Sequence, residues 1–204
     1  TKAFIRETMR FVNALDIDYY SIHAGFKKSF TVKDELLFES GDKRIFAVEG
    51  IADNLKWFKG EFPDKKIALE NLYPNNHNTE CCFMIHIDEI VLLLEKFPDI
   101  YFLLDLGHLN ISSQLLDFDY LNSVELLFER YSDRILEIHL SENNSNEDDH
   151  FILYPDSIQY KIVKDYASMI KENRINITIE SRNSTIQELS DCFMRVNNII
   201  SSTQ

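Results

Sequence analysis

Five short apolar runs, each followed by a longer stretch with helical spacing, constrain this chain more than any other feature. The opening segment spaces its apolar residues as an amphipathic helix does over 4–12. The first run, 19–25, reads as a strand that ends in a turn at Gly25. A turn at Ser40, Gly41 and Asp42 then leads into a helix running to Trp57. The other runs lie at 66–71, 100–105, 134–140 and 175–180, and helical spacing follows them at 87–97, 120–131, 157–171 and 184–200. Strands this apolar are covered on both faces, and strands that alternate with helices pair in parallel. The pattern predicts an α/β protein, either an open doubly wound sheet or a (β/α)₈ barrel. No glycine-rich phosphate loop follows any run, which leaves the nucleotide-binding form of the open sheet unsupported. Five Gly and four Pro break the repeat so rarely that residues 1–204 read as a single domain.

The polar residues fall where they matter. Each apolar run ends in a side chain able to bind a metal: His23, Glu70, Asp105, His139 and Glu180. In a (β/α)₈ barrel those strand ends converge on one mouth, where active sites are built. Carboxylates gathered there repel one another unless a cation lies between them. One such residue would be an ordinary structural group; one at the end of every run is a constellation. Asp105 and His108 form D-x-x-H, with the imidazole just past the strand, and Asp148 and His150 form D-x-H in a later loop. The alternative for residues 142–150 is a solvated acidic loop.

Charge narrows the partners. The chain carries 34 acidic residues against 21 Lys and Arg, a net charge of -13. Such a surface repels phosphate backbones, so nucleic acid is not an expected partner. The pairs Lys27-Lys28 and Lys65-Lys66 are isolated and read as solvated faces. The cysteines are three, without C-x-x-C spacing, which fits a reduced, cytoplasmic protein. No run reaches the roughly 18 apolar residues of a membrane helix, and no secretion signal opens the chain. His77 and His86 are expected to face solvent, Trp57 and Phe58 to pack the outer layer, and Cys81-Cys82 to be structural.

The strings IHAGF, ALEN, LLDLGHLN, EIHLSEN, DDH and TIES, in that order from His23 to Glu180, resemble the xylose isomerase-like TIM barrel superfamily. That group joins sugar and sugar phosphate isomerases and epimerases with endonuclease IV-type enzymes. The resemblance implies that Glu70, Asp105, His139 and Glu180 hold a central divalent metal, with Glu70 and Glu180 also the catalytic carboxylates. His108 matches an imidazole that contacts substrate in epimerases and a further metal in the endonucleases. His23, Asp148 and His150 match additional metal ligands of the three-zinc endonucleases. Arg182, Asn71 and Asn110 are candidate substrate contacts. Carboxylate and imidazole ligands suit zinc or manganese, and also magnesium, cobalt or iron.

Two departures stand out. Barrels of this kind have eight strands and roughly 250 residues, so the N-terminal strands 1–3 are expected to be absent from this chain. The two open sheet edges then point to a homo-oligomer. The loop after His150 also lacks the glycines usual there, so no substrate contact is assigned to it. Three functions fit: a metal-dependent isomerase or epimerase of a sugar or sugar phosphate working through an enediolate; an endonuclease IV-like zinc phosphodiesterase acting on abasic-site DNA; and a degenerate, non-enzymatic barrel.

Overall fold

The alternation of apolar runs and helical stretches folds into five parallel strands backed by helices. The computed structural model describes residues 2–24, 43–74, 82–144 and 147–202. The expected turns at Gly25 and at Ser40 to Asp42 lie outside them, as do Lys27, Lys28, His77 and Cys81. The chain runs α1 (Lys2–Ala14), β1 (Tyr19–His23), α2 (Lys43–Glu61), β2 (Lys66–Glu70), α3 (Ile87–Lys96) and β3 (Tyr101–Asp105). It continues through α4 (Leu106–Leu116), α5 (Tyr120–Tyr131), β4 (Ile135–Leu140), α6 (Ile158–Asp165), α7 (Ala167–Glu172), β5 (Asn176–Ile179) and α8 (Ile186–Ser201). The strands lie side by side in chain order, every pair parallel.

Side chains alternate between the two faces of a strand. Ile67, Leu69, Phe102, Leu104, Ile138 and Leu140 take the outer face and are at most 5 % exposed beneath the helices. The other face is concave. Tyr19 of β1 reaches across it to donate its hydroxyl to Glu137 of β4 at 2.7 Å, and Asn176 of β5 donates to the same hydroxyl at 3.2 Å. A flat sheet would hold these strands too far apart to touch. The expected barrel curvature is present over five strands.

Two local departures from the sequence reading have physical causes. Helix α4 is not signalled by amphipathic spacing because its first two turns are almost wholly buried: Leu106, His108, Leu109, Ile111, Ser112 and Ser113 are all covered, and exposure begins only at Gln114 and Leu115 in the last turn. It starts directly from β3, with Asp105 as its N-cap, and a Cβ on Gly107 would come within 2.5 Å of Ser141 Oγ. The helix expected over 157–171 instead breaks at Tyr166, whose ring stacks on Phe128 with centroids 4.1 Å apart. At the flanks, α1 exposes Phe4 and Phe11 and α8 exposes Ile186 and Phe193. Among the described residues, no helix is long and apolar enough to cross a membrane.

One residue closes the bottom of the sheet. Arg134 donates to the carbonyls of Leu94, Phe97 and Ile100 at 2.6, 2.7 and 2.7 Å, satisfying the C-terminal end of α3 and the turn into β3. Arg134→Met keeps the stem but removes these donors, leaving the Phe97 carbonyl with a backbone bond from the Ile100 N–H at 3.2 Å. It is expected to cost about 2 kcal/mol, seen as a lower urea midpoint with an unchanged slope.

Candidate metal centre

The register of the sheet assembles the site. His23 pairs with Glu70 and Asp105 pairs with His139, while Asp105 and Glu180 each lie two residues beyond the partner of their neighbouring strand's ligand. Offsets of two preserve the face, so all five side chains enter the concave mouth. Ligand atoms of Glu70, Asp105 and His139 lie within 4.8 Å of one another. Glu180 Oε1 lies 3.4 Å from His139 Nδ1, and His23 Nε2 lies 3.4 Å from Glu70 Oε2. The five strand-end residues are thus brought together.

Asp105 divides its carboxylate between two tasks. Oδ1 accepts from the His108 backbone N–H at 2.7 Å and caps α4. Oδ2 points into the site and is buried without a hydrogen-bond partner. Asn71 clamps the same residue, accepting from its N–H and donating to its carbonyl, both at 2.9 Å. The Asn71 side chain is fully buried and spends its amide on the Asp105 backbone, so it supports Asp105 rather than lining the mouth. Asn110 lies on α4 and accepts from Gln114 at 3.2 Å, apart from the cavity-lining residues.

The D-x-H loop folds inward. Backbone bonds between Glu142 and Phe151 of 2.9 and 2.7 Å close it at its base. The Asn143 side chain accepts from the N–H groups of Asp149 and His150, holding His150 at φ 53, a left-handed conformation costly for a side chain of this size. Asp148 and His150 are turned inward rather than solvated: Asp148 Oδ2 lies 3.1 Å from His150 Nδ1 and 3.6 Å from His108 Nε2. His150 Nε2 meets Glu180 Oε2 at 3.1 Å. Arg182 stands exposed at the rim, with its guanidinium donating to the Asp148 carbonyl at 3.3 Å.

Electrostatics follow from this crowding. Burial raises the Asp105 carboxyl above its ordinary range, and the charge of Glu70 adds to that while His108 and His139 oppose it. Burial would lower both imidazoles, but acidic neighbours win. His139 is pushed up to about 10 by Glu137, Glu180 and Asp105, and His108 to about 9 by Asp105 and Asp148. The same contact with His139 draws Glu180 down to about 2. In the metal-free protein, protonated imidazoles thus offset part of the carboxylate charge. Asp105 Oδ2, His139 Nδ1 and Asp148 Oδ1 still have no hydrogen-bond partner although all are buried. Buried orphan atoms of this kind cost about 1–3 kcal/mol each, and a cation bound among them would remove the penalty. The donor set therefore fits a divalent ion.

A cavity of about 400 Å³ opens over His23, Glu70, His108, Asp148, His150 and Glu180, lined also by Tyr73, Cys82 and Arg182, with Asp105 and His139 outside its lining. That volume suits a small molecule. A second cavity of about 450 Å³ lies behind β1 and β2 against α1 and α2, walled chiefly by Ile5, Ile51, Leu55, Phe58, Ile67 and Leu69, away from most of the ligands. His86 is neither free nor a ligand in this site: its Nδ1 caps α3, accepting from Asp88 N at 3.2 Å. Two residues of the mouth escaped the sequence reading. Tyr73, whose ring lies 4.9 Å from that of His108, carried no signal. Glu137, bonded to His139 at 3.3 Å, was signalled by standing two residues before it, on the same face.

No protein-family model matches the sequence, and none of the curated proteins matches it significantly. Solved structures do match. A D-tagatose 3-epimerase-like protein superposes with TM-score 0.67 at 16% identity, over 97% of this chain and 67% of its own. Endonuclease IV from Thermus thermophilus gives TM-score 0.59 at 16% identity, over 94% of this chain and 65% of its own. A 3-keto-D-glucoside 4-epimerase from E. coli gives 0.55 at 11% identity, over 87% and 63%. The chain therefore spans about two thirds of the length of the structures it matches. Five parallel strands, the helices that back them and these superpositions together give the chain the fold of part of a TIM barrel of the xylose isomerase-like type.

Proposed function

We propose that this chain carries the metal site of a divalent-metal-dependent isomerase or epimerase acting on a sugar or sugar phosphate. One observation carries the reading: Glu70 and Glu180 approach the same His139 nitrogen from strands on either side of it, at 3.8 and 3.4 Å. Glu70, Asp105, His139 and Glu180 would hold the ion. When bound, it polarises a substrate carbonyl and its neighbouring hydroxyl, acidifying the C–H between them.

The chain's own groups then handle the proton. One of the two glutamates takes it from carbon, leaving an enediolate, and a carboxylic acid on the other side returns a proton to complete the exchange. His108 and Arg182 line the same cavity and would hold substrate oxygens, with Arg182 suited to a phosphate or carboxylate. The similarity to two epimerase-type structures supports this reading at the level of fold.

A second reading is favoured by the Asp148, His150 and His108 contacts, which could take further zinc ions in an endonuclease IV-like phosphodiesterase; the net charge of -13 opposes it. Elemental analysis separates the readings. About one manganese or zinc per chain is expected, absent from a Glu70→Ala, His139→Ala double variant. Glu180→Gln should then lower turnover of whichever sugar proves active about a hundredfold or more. Close to three zinc ions with cleavage of abasic-site DNA would overturn the proposal in favour of the second. No uptake at all would leave a non-enzymatic scaffold.

A further inference from the structure

We propose that Glu137 is a positioning residue for the metal site, selecting which nitrogen of His139 faces the ion; the inference rests on the metal reading above. Glu137 precedes His139 by two residues on β4, so both side chains enter the concave face. Its carboxylate accepts the Tyr19 hydroxyl at 2.7 Å, the Thr178 hydroxyl, and His139 Nε2 at 3.3 Å. The opposite ring nitrogen, Nδ1, faces Glu70, Asp105 and Glu180 at 3.8, 3.8 and 3.4 Å and has no hydrogen-bond partner.

A metal-binding imidazole offers one nitrogen to the ion and keeps a proton on the other. A carboxylate behind the ring decides which is which and fixes its orientation. Glu137 holds the Nε2 proton, so Nδ1 is the nitrogen left for the ion. The carboxylate is itself tied down from two other strands. Tyr19 comes from β1 and accepts in turn from Asn176 at 3.2 Å, while Thr178 comes from β5. The ring is therefore aimed by a network that spans the concave face beneath the ligands.

The test uses the full chain with zinc alone, titrated against a chromophoric chelator. Glu137→Gln keeps the volume and removes the charge; it is expected to weaken zinc binding roughly 10- to 100-fold. Tyr19→Phe and Thr178→Val, which only loosen Glu137, should have smaller effects of the same sign. Thermal melts of the metal-free variants show which of them still fold. In the metal-free wild type, proton NMR should find a slowly exchanging, downfield His139 Nε2–H, and Glu137→Ala should lose it. A purely structural role for Glu137 would lower the melting temperature and leave zinc affinity unchanged; that result overturns the proposal while the metal reading stands. Absence of the downfield proton in the wild type also overturns it. If the proton is present but the wild type takes up no zinc, the metal reading fails and the hold of Glu137 on the ring survives.

Discussion

Asp105→Asn is expected to abolish zinc or manganese uptake while leaving the metal-free fold close to wild-type stability. Asparagine still offers an oxygen to the His108 N–H, so the α4 cap survives, and the backbone groups clamped by Asn71 are untouched. Only the second oxygen changes. Where buried Asp105 Oδ2 faces the site without a partner, the variant presents an amide N–H, which repels a cation. Removing a supporting contact behind a ligand ordinarily costs 10- to 100-fold in affinity, so losing a charged ligand should cost more than about 100-fold. Burial already disfavours the Asp105 charge, which offsets the attraction to His108 and His139 that the variant gives up, so the metal-free variant should melt close to the wild type. The signature is a crossing. At an ion concentration about a hundred times the dissociation constant, the wild type gains about 2.7 kcal/mol, or roughly 5–10 °C in melting temperature, and the variant gains none. A variant stabilised by metal as strongly as the wild type would remove Asp105 from the site.

Metal uptake should also rise steeply with pH. His139 sits at about 10 in the metal-free protein, so at neutral pH its Nδ1 carries a proton that an entering ion must displace. Each displaced proton adds a factor of about ten in apparent affinity per pH unit between about pH 6 and pH 9. Stability of the metal-free protein moves the other way. The pKa values of His139 and His108 are raised by folding, so their contribution is complete below the unfolded histidine pKa of about 6.5 and is lost as pH climbs through about 9 and 10. Glu180 is lowered to about 2, so its contribution is present above the unfolded glutamate range and disappears as pH falls towards 2. Metal-free melting temperature should therefore be highest in mildly acid solution and fall on both sides, whereas saturating zinc should flatten the alkaline fall. Calorimetry across pH with and without zinc reads both trends. A zinc affinity that stayed flat over this range would mean that His139 is not the displaced base.

The strands were legible because their apolar runs are short, dense and each closed by a polar residue, and the site was legible for the same reason. His23, Glu70, Asp105, His139 and Glu180 could be placed on one mouth once the runs were taken as parallel strands. Helix α4 was not legible, since a helix buried over its first two turns and exposed only in its last leaves no continuous polar stripe to mark its period. The division of Asn71 from the cavity was equally hidden. Sequence places it next to Glu70, but only the approach of β3 reveals that its amide is consumed by the Asp105 backbone. Whether Asp148 and His150 were ligand candidates or part of a solvated loop depended on the bend at His150, a conformation no spacing rule announces.

The position of each ligand within the sheet has a mechanical consequence. Glu70, Asp105 and His139 grow from β2, β3 and β4, each held by a strand on both sides, and their side chains are 12, 0 and 12% exposed. His23 and Glu180 grow from or just past β1 and β5, which have one neighbour each in the described sheet, and theirs are 52 and 33% exposed. In the proposed metal site, the three inner side chains would therefore be the more constrained and the two outer ones would have more room to move. On that reading the inner three would set the distances to an ion, and the outer two would adapt to the shape of what enters.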